Sequence, residues 1–457
     1  MMKIVRALTN QPLISSLLVL IISGLALKRW LALGALGLAA VVVGIVFALQ
    51  LSLGPGFQSF VGTLSLRDTA PAIRGGVFIA LGIIVAGGAT FGLFKSVAGA
   101  WSRRGRWALL DLLYIERVLG GGPKIVALGG GNGLPSLLRG LKHYTSNISA
   151  VVTVADDGGS SGRLRSELGI LPPGDIRNCL VALADSEAVM QQLMDYRFST
   201  NGQLDGHSFG NILIAALARI GGDFYQGVEA AGDLLAIRGK VIPSTHTDVV
   251  LIGSTVSGQR LIGESRVGTA SERLSSIALL PPDALGHPDA VKAIEEADLI
   301  LLGPGSLFTS IVPNLLVRDI AGAVARSYGF KIYVCNVAEE PDQTVGFSIA
   351  DHLNVVRHYS GDNSVDAVIA NSNVPEGPSP AGLSYIAPQN PKHDHLVYMA
   401  ADVIDEAHPA RHDPVKLAAT IAAIYQKHRG KRKSLPRLRR QLPPRPRGNG
   451  LGQGPAR

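Results

Sequence analysis

The sequence predicts a doubly wound α/β fold with a mostly parallel sheet, preceded by apolar N-terminal segments. Short apolar runs alternate with helical stretches, and nearly every run ends in glycine or polar residues. Strands and helices that alternate in this way are typical of parallel sheets, whose ligands bind beyond the carboxyl ends of the strands. Two uncharged runs of membrane-spanning length add transmembrane helices before this fold.

Residues 1–107 form the predicted membrane region. The runs at 30–53 and 75–94 carry no charge and are long enough to cross a hydrocarbon core as helices. The shorter apolar run at 12–27 either lies in the interface or adds a third span. Basic residues precede the first full span and follow the second, so the positive-inside rule places everything after Lys95 in the cytoplasm. We therefore expect a multi-pass protein of the cell (inner) membrane with a cytoplasmic domain.

Charge is unevenly distributed along the chain. The first 107 residues carry ten basic side chains and one acidic one, and residues 427–457 carry eleven basic and no acidic side chains. Residues 108–426 are therefore acidic, although the whole chain has a net charge of +8. A nucleic-acid-binding domain shows the opposite bias, so no nucleic-acid partner is expected. The Pro/Gly-rich tail at 427–457 is predicted to be disordered and able to contact anionic lipid.

The predicted α/β domain covers residues 124–426 and follows a connector at 108–123. Its strands are five apolar runs, at residues 124–131, 149–157, 297–308, 331–341 and 366–374. An insertion at 168–296 lies between the second and third runs. Within it, we expect helices at 175–184 and 209–219 and a small β-meander at 240–267.

The first run ends in a glycine-rich turn made of Gly129, Gly130, Gly131, Asn132 and Gly133. Bare glycines let backbone N–H groups approach an anion, and the N-terminus of the next helix adds a favourable dipole. A dinucleotide fingerprint begun at Gly129 meets Leu134 where its third glycine belongs, and no Walker motif follows. The turn therefore predicts a phosphate contact, with a plain tight turn as the alternative.

The second run closes with Asp156 and Asp157, and we expect Asp156 to position a metal ion or a water-bridged phosphate. The residues predicted to complete this pocket are Asp157, Ser160, Ser161, Arg163 and Arg165. Carboxylates, hydroxyls and guanidinium groups together suit phosphate oxygens or a hydrated Mg²⁺ ion. The alternatives are a solvated turn and the ribose-binding acid of a nicotinamide oxidoreductase. The oxidoreductase is disfavoured because it does not need the residues that follow Asp157.

Three further motifs supply candidate ligand contacts. Asp175 is predicted as a helix N-cap with Asn178 in the same first turn, and His207 and Asn211 open another helix. Gly303, Gly305 and Ser306 follow the third run and predict a second anion cradle. For His207, a purely structural role at a helix start is the alternative. No catalytic residue is predicted, because no nucleophile–base order, zinc-ligand cluster or activated cysteine is present in the spacing.

Five segments occur in a recognisable order. They are KIVALGGGNGLPSLLRGLK, TVADDGGSSGRLR, PPGDIRNCL, HSFGNI and LGPGSLFTSIVPNLLV. Together they resemble the bacterial gluconeogenesis-factor family, its YvcK-like branch, which is related to the 2-phospho-L-lactate transferases (CofD-like). The resemblance covers roughly residues 123–427 and leaves the membrane region and the tail outside it.

The resemblance implies a Rossmann-like core that holds a nucleotide-type ligand at the Gly129–Gly133 turn and near Asp156. For the bacterial branch, it implies binding of UDP-sugars and effects on carbon flow, cell shape and envelope precursor supply during gluconeogenic growth. For the transferase branch, it implies Mg²⁺-dependent transfer from a nucleotide diphosphate-linked donor. The GGSSGRLR segment resembles the first branch. The leading hypothesis is thus a membrane-tethered UDP-sugar-binding protein, and the alternative is a transferase; a homo-oligomer is compatible with either.

Overall fold

The computed structural model describes residues 27–49, 70–101, 119–184, 187–199, 201–341, 343–375, 384–393 and 395–434. The chain divides into two compact units, residues 1–113 and 114–457. The apolar segment predicted at 12–27 lies outside the described residues except for its last position. Most of the connector predicted at 108–123 and the tail beyond residue 434 also lie outside them.

The first unit contains two helices, α1 (Leu27–Ala48) and α2 (Pro71–Trp101). They pack through glycines: a Cβ atom added to Gly44 would lie 2.9 Å from the Gly75 carbonyl oxygen, and one added to Gly82 would lie 2.6 Å from that of Gly37. Only glycine permits such close approach of two helix backbones.

Within the described residues, the stretch Gly75–Leu93 of α2 is long and apolar enough to cross a membrane, and 17% of it is buried. The apolar part of α1, Ala32–Val46, is shorter. The large side chains directed away from the helix pair are apolar and exposed, among them Leu36, Leu38, Val42, Leu81, Ile84 and Phe91. The two predicted spans thus correspond to two helices, and membrane insertion stays a prediction.

The second unit is built on a seven-stranded sheet in the order β10-β9-β8-β7-β1-β2-β3. Its strands are β1 (Ile125–Gly129), β2 (Ile148–Val152), β3 (Lys240–Pro243), β7 (Leu299–Leu302), β8 (Phe330–Val334), β9 (Ala367–Asn371) and β10 (Val397–Ala401). Every neighbouring pair is parallel. Every residue of β1, β7, β8 and β9 is buried, as expected for strands covered on both faces. The doubly wound parallel α/β fold predicted from the sequence is confirmed.

The strand order reverses between β1 and β7. From β1 the chain moves outward through β2 to β3, then returns beside β1 at β7 and continues outward to β10. The loops that follow β1 and β7 therefore leave the sheet in opposite directions and open a crevice at its carboxyl edge. Such a switch point is where open α/β sheets bind ligands.

Helices cover both faces of this sheet. They are α3 (Gly133–Leu141), α4 (Gly159–Leu168), α5 (Gly174–Leu183), α6 (Glu187–Asp195), α7 (Phe209–Gly221), α8 (Phe224–Leu235), α9 (Glu264–Gly268), α10 (Pro288–Glu295), α11 (Val312–Leu316), α12 (Arg318–Arg326), α13 (Ile349–Ser360) and α14 (Pro414–Ser434). A single π-helical turn, Leu307–Ile311, precedes α11. Two apolar clusters of buried residues result, one on each face. Residues from β1, β2 and β7 enter both clusters on alternate positions, because successive strand side chains point to opposite faces.

The inserted region differs from its sequence prediction in one respect. The meander expected at 240–267 is split: β3 joins the main sheet beside β2, whereas β4 (Val250–Thr255) pairs with β5 (Arg260–Ile262) and β6 (Leu274–Leu280) in a separate antiparallel sheet. The reason is burial, since Val241, Ile242 and Pro243 are all buried, as an edge strand beneath helices requires. The short strand β10 was not predicted either.

Three local predictions are corrected by the helix boundaries. The solvated turn that was one alternative for the residues after Asp157 is not found, because α4 begins at Gly159 and includes both serines and both arginines. Asp175 is not an N-cap: Pro173 occupies that position, and the Asp175 carboxylate instead accepts a hydrogen bond from the Gly131 N–H. The tail predicted to be disordered from residue 427 begins as the last two turns of α14, where the His428 ring stacks on Phe330 at 4.0 Å.

Candidate functional site

A cavity of about 420 Å³ lies in the crevice at the switch point. Its walls come from the loops after β1, β2, β7 and β8, from the starts of α5 and α9, and from the turn before α14. Of the residues singled out in the sequence, seven line it: Gly131, Asn132, Gly133, Asp156, Asp175, Gly305 and Ser306. The structure therefore brings together residues from four of the predicted motifs at one place.

The loop after β1 lies directly against the loop after β7. Gly131 has a φ of +58°, a conformation that favours glycine. A Cβ atom on Gly133 would lie 2.5 Å from the Pro304 carbonyl oxygen and 2.7 Å from the Gly305 Cα. Gly129 is the last residue of β1 and Gly130 packs against Thr153, so neither lines the cavity. The glycines thus serve close backbone packing as well as access to the cavity.

The loop after β7 offers less free backbone than the sequence suggests. The N–H of Leu307 donates to the Glu340 carboxylate at 3.1 Å, and the Ser306 hydroxyl lies 3.4 Å from the Gln343 side-chain oxygen. Gly303, with a φ of +79°, packs beneath the loop and does not line the cavity. Part of the predicted second anion cradle is therefore already occupied by a carboxylate of the protein.

The cavity is acidic. Burial, the largest effect, raises the pKa of Asp156, and it raises the pKa of Asp175 to about 6 with a further contribution from the Asp156 charge. Burial and the charges of Asp156 and Asp175 raise the pKa of Glu264 to about 7. Burial also raises the pKa of Glu340. Carboxylates that are close together and partly shielded from water resist ionisation, so this corner favours a bound proton or a cation.

Positive charge is scarce around these carboxylates. Arg411 is the one lysine or arginine among the residues that line the cavity, and it is exposed. His412 also lines the cavity, but burial lowers its pKa to about 4, and its Nε2 atom lies 3.1 Å from the Cys335 carbonyl oxygen. The cavity is therefore negatively charged near neutral pH.

The Asp175 carboxylate gives a testable dependence of stability on pH. Because the pKa of Asp175 is higher in the folded than in the unfolded protein, protonation of this carboxyl stabilises the fold. The contribution is complete at pH values below the unfolded-state pKa and is lost as the pH rises through about 6. At pH 8, Asp175→Asn should therefore have a higher unfolding temperature than the wild type, and its free energy of unfolding should be higher by up to about 3 kcal/mol. The asparagine side-chain oxygen can still accept the hydrogen bond from the Gly131 N–H. Thermal unfolding at pH 5 and pH 8 without divalent cations measures the difference. An equal difference at both pH values would contradict a raised pKa.

Asp157 and the two arginines after it point away from the cavity. Asp157 accepts hydrogen bonds from the Ser265 N–H at 2.9 Å and from its hydroxyl at 2.7 Å. Arg163 donates to the Asp205 carbonyl oxygen at 2.6 Å. Arg165 forms an ion pair with Asp248 at 2.6 Å and does not line the cavity. These predicted ligand contacts instead connect α4 to the inserted region.

A second group of predicted residues forms a buried polar network. The Ser160 hydroxyl lies 3.0 Å from the His207 Nδ1 atom and accepts from the Asn211 amide at 3.1 Å. Arg177 extends the network with a 2.6 Å bond to Ser208. Burial lowers the pKa of His207, which keeps it neutral at physiological pH. For His207, the structure favours the structural role that was the alternative in the sequence, and Asn211, predicted as a ligand contact, belongs to the same network.

A second cavity of about 330 Å³ shares Asn132, Ser136, Arg411 and His412 with the first. Asn178 lines this second cavity, where it also accepts a hydrogen bond from Arg177 at 2.8 Å. The shared residues show that the two cavities adjoin, so an extended ligand has room beyond the glycine turn.

Sequence reasoning missed Glu264, Glu340 and Arg411 as residues of the site. Glu340 had a signal, because it follows β8 at the sheet edge where the other motifs converge. Glu264 and Arg411 had none, since each reaches the cavity from a segment far from any strand of the predicted sheet.

The carboxylates fit one kind of metal binding. Within the described residues, no group of three or more histidine, cysteine, aspartate or glutamate side chains is placed to hold a metal ion. Mg²⁺ does not need such a cage, because it commonly uses one or two carboxylates together with substrate phosphates and water. Asp156 and Asp175 have the chemistry of such a pair.

Comparison with known proteins identifies the family. The model of the family described as 2-phospho-L-lactate transferase CofD matches residues 125–404, from β1 to the turn after β10. The chain belongs to this family. A "Gluconeogenesis factor" of Bacillus subtilis is 45% identical over 254 residues, which are 56% of this chain and 80% of that protein. A "Putative gluconeogenesis factor" of Nostoc sp. is 40% identical over 433 residues, 89% of this chain and 92% of that protein.

A solved structure supports the same assignment. The crystal structure of a Bacillus halodurans protein matches 66% of this chain and 99% of its own, with a TM-score of 0.63 and 37% sequence identity. The resemblance to gluconeogenesis factors and the Rossmann-like fold expected from the five sequence segments are thereby confirmed. Within the family, the relatives described as gluconeogenesis factors place this chain in the branch that the sequence indicated.

Proposed function

We propose that this protein acts as a gluconeogenesis factor, which binds a UDP-sugar at the switch-point cavity and couples that ligand to carbon flow and envelope precursor synthesis during gluconeogenic growth. The observation that carries the proposal is the convergence of a bare glycine turn and two half-buried carboxylates at the carboxyl edge of a parallel sheet. The glycine turn suits a diphosphate, and the adjoining second cavity gives a nucleotide sugar further room.

The acidity of the cavity makes the proposed binding dependent on a divalent cation. A diphosphate and the carboxylates of Asp156 and Asp175 repel each other unless positive charge lies between them. Mg²⁺, when bound, supplies that charge. The role of the chain is to hold the two carboxylates in place, and the Gly131 N–H fixes Asp175 by a 2.7 Å hydrogen bond.

The proposal is tested by calorimetry on the full-length protein in detergent with UDP-N-acetylglucosamine. We expect saturable binding in the presence of Mg²⁺ and much weaker binding with a chelator. UDP and GDP are titrated in parallel, because a nucleotide-sugar site should prefer the uridine ligand that carries the sugar. No binding of UDP-N-acetylglucosamine with or without Mg²⁺ would rule out the proposed ligand.

A second candidate function is favoured by the family match itself, because the matching model describes a transferase. In this alternative, the same cavity takes a nucleotide diphosphate-linked donor in the presence of Mg²⁺. An acceptor hydroxyl loses its proton and forms a bond to the distal phosphorus, the bond between the two phosphates breaks, and the nucleoside monophosphate leaves. Chromatography of the full-length protein incubated with donor nucleotides distinguishes the two candidates, since a binding protein leaves the nucleotide intact.

We also propose that the first unit tethers the domain to the cell (inner) membrane. Support comes from the exposed apolar side chains of α1 and α2 and from the glycines by which the two helices pack. A soluble helix pair of this composition would expose a large apolar surface to water. The proposal places the second unit in the cytoplasm, as the flanking basic residues predict.

Cysteine labelling in intact cells tests both the tether and its orientation. With Ser59→Cys, in the segment between the two predicted spans, we expect reaction with a membrane-impermeant maleimide. With Ser166→Cys, an exposed position on α4, we expect none until the cells are lysed. The native Cys179 and Cys335 are buried and give a low background. Recovery of the full-length protein in the supernatant after alkaline carbonate extraction would contradict the tether.

A further inference from the structure

Ser161 lies between the two segments that carry the cavity carboxylates. It is in the first turn of α4, is 4% exposed and does not line the cavity. Its hydroxyl accepts a hydrogen bond at 3.1 Å from the N–H of Gly174, the first residue of α5. The Asp156 carboxylate lies close to the same point, because a Cβ atom added to Gly174 would come near both the Ser161 oxygen and an Asp156 oxygen. The Ser161 side chain is therefore placed beside both Asp156 and the helix start that carries Asp175.

The packing around this hydroxyl is close. An added Cβ on Gly174 would overlap the Ser161 oxygen and would lie 3.3 Å from an Asp156 carboxylate oxygen. The Asp156 carboxylate is held on its other side by the Gly158 N–H at 2.8 Å. A hydroxyl has one donor and two acceptor positions, so Ser161 can donate to Asp156 while it accepts from Gly174.

The start of α4 is also held by hydrogen bonds of the residue before Ser161. Ser160, the preceding residue, bonds to His207 and Asn211, and Arg177 joins the same network from α5. The beginnings of α4, α5 and α7 are thus tied together in a buried, hydrogen-bonded group. Side chains locked in this way can hold a neighbouring ligand group in one orientation.

We propose that Ser161 is a positioning residue for the divalent cation: its hydroxyl holds the Asp156 carboxylate against the start of α5, so that Asp156 and Asp175 face the same ion. The inference rests on the proposed function, because it concerns the cation site that the nucleotide sugar would share. Ser161 acts through Asp156 and does not contact the ion. Supporting residues of metal ligands of this kind typically affect affinity by about 10- to 100-fold when removed.

The test uses the full-length protein in detergent with Mn²⁺ alone, followed by electron paramagnetic resonance. For Ser161→Ala, we expect a dissociation constant at least about tenfold higher than that of the wild type and a changed spectrum of the bound ion. Ser161→Thr keeps the hydroxyl and should restore binding. Ser166→Ala, an exposed serine on the same helix, is the matched control and should bind as the wild type does. Circular dichroism verifies that each variant is folded.

Ser160→Ala separates positioning from general loosening of α4. It removes the bonds to His207 and Asn211 but leaves the Ser161 hydroxyl, so we expect a lower melting temperature with nearly unchanged Mn²⁺ affinity. Equal losses of affinity in Ser160→Ala and Ser161→Ala would overturn the inference, as would wild-type affinity in Ser161→Ala. Absence of Mn²⁺ binding by the wild type would overturn the cation requirement of the proposed function and the inference with it.

Discussion

Asp156→Asn is expected to weaken Mg²⁺-dependent binding of UDP-N-acetylglucosamine about 100-fold, or about 2.8 kcal/mol. Asp156 lines the cavity, and its carboxylate lies beside the start of α5, where Asp175 is also found. The amide keeps the size of the side chain but removes the negative charge that a cation needs. Calorimetry at pH 8 with saturating Mg²⁺ measures the loss.

Asp157→Asn is the matched control, because it makes the same chemical change at the next residue. The Asp157 carboxylate binds Ser265 and does not line the cavity. We expect affinity within about threefold of the wild type, since the affected groups lie outside the site. Equal losses in the two variants would mean that the pair acts through the general charge of the cavity and not through a ligand bond from Asp156.

Gly140→Ala is expected to lower the free energy of unfolding by about 3 kcal/mol. Gly140 lies in α3, where an added Cβ would overlap the Pro414 carbonyl group at the start of α14 and come within 2.7 Å of the Ala418 Cβ. Backbone atoms cannot rotate away, so the two helices must separate. This loss is opposite in sign to the intrinsic helix propensity, because replacing glycine by alanine at an exposed helix position stabilises the helix by about 1 kcal/mol. Thermal unfolding measures the change.

Gly268→Ala serves as the comparison for this prediction. Gly268 is also helical, but the atom nearest to a Cβ added there would be the Thr309 methyl carbon, 3.8 Å away, which is an ordinary van der Waals contact. We expect its melting temperature to change by no more than about 2 °C. If Gly140→Ala is as stable as the wild type, α3 and α14 are not in the close contact that the structure gives them.

The sequence predicted the sheet well because burial on both faces leaves a simple signal. The strand β7 is wholly apolar, β8 contains a single charged residue, Lys331, and both are followed by glycine or polar residues, so their existence and direction follow from the pattern. The strands β3 and β10 lie at the two edges of the sheet, where the pattern is weaker. The exposed and half-exposed side chains of β10 illustrate this loss of signal.

The candidate site was predicted less completely. The glycine turn and Asp156 were found because they follow strands directly. Ser160, Ser161 and His207 were predicted as ligand contacts, yet their side chains serve hydrogen bonds between helices and do not line the cavity. Spacing along a chain cannot decide this, because a helix that starts one residue earlier turns its side chains by about 100°.

By itself, the sequence determined the parallel α/β class, the edge of the sheet where polar residues gather, and the acidity of the central domain. These follow from local composition and period. The tertiary structure alone decided which polar groups face the cavity. Glu264 reaches it from the inserted region, whereas Asp157, one residue after Asp156, turns toward Ser265. The physical reason is that the start of α4 at Gly159 and its network with α7 fix these directions through contacts between residues far apart in the chain.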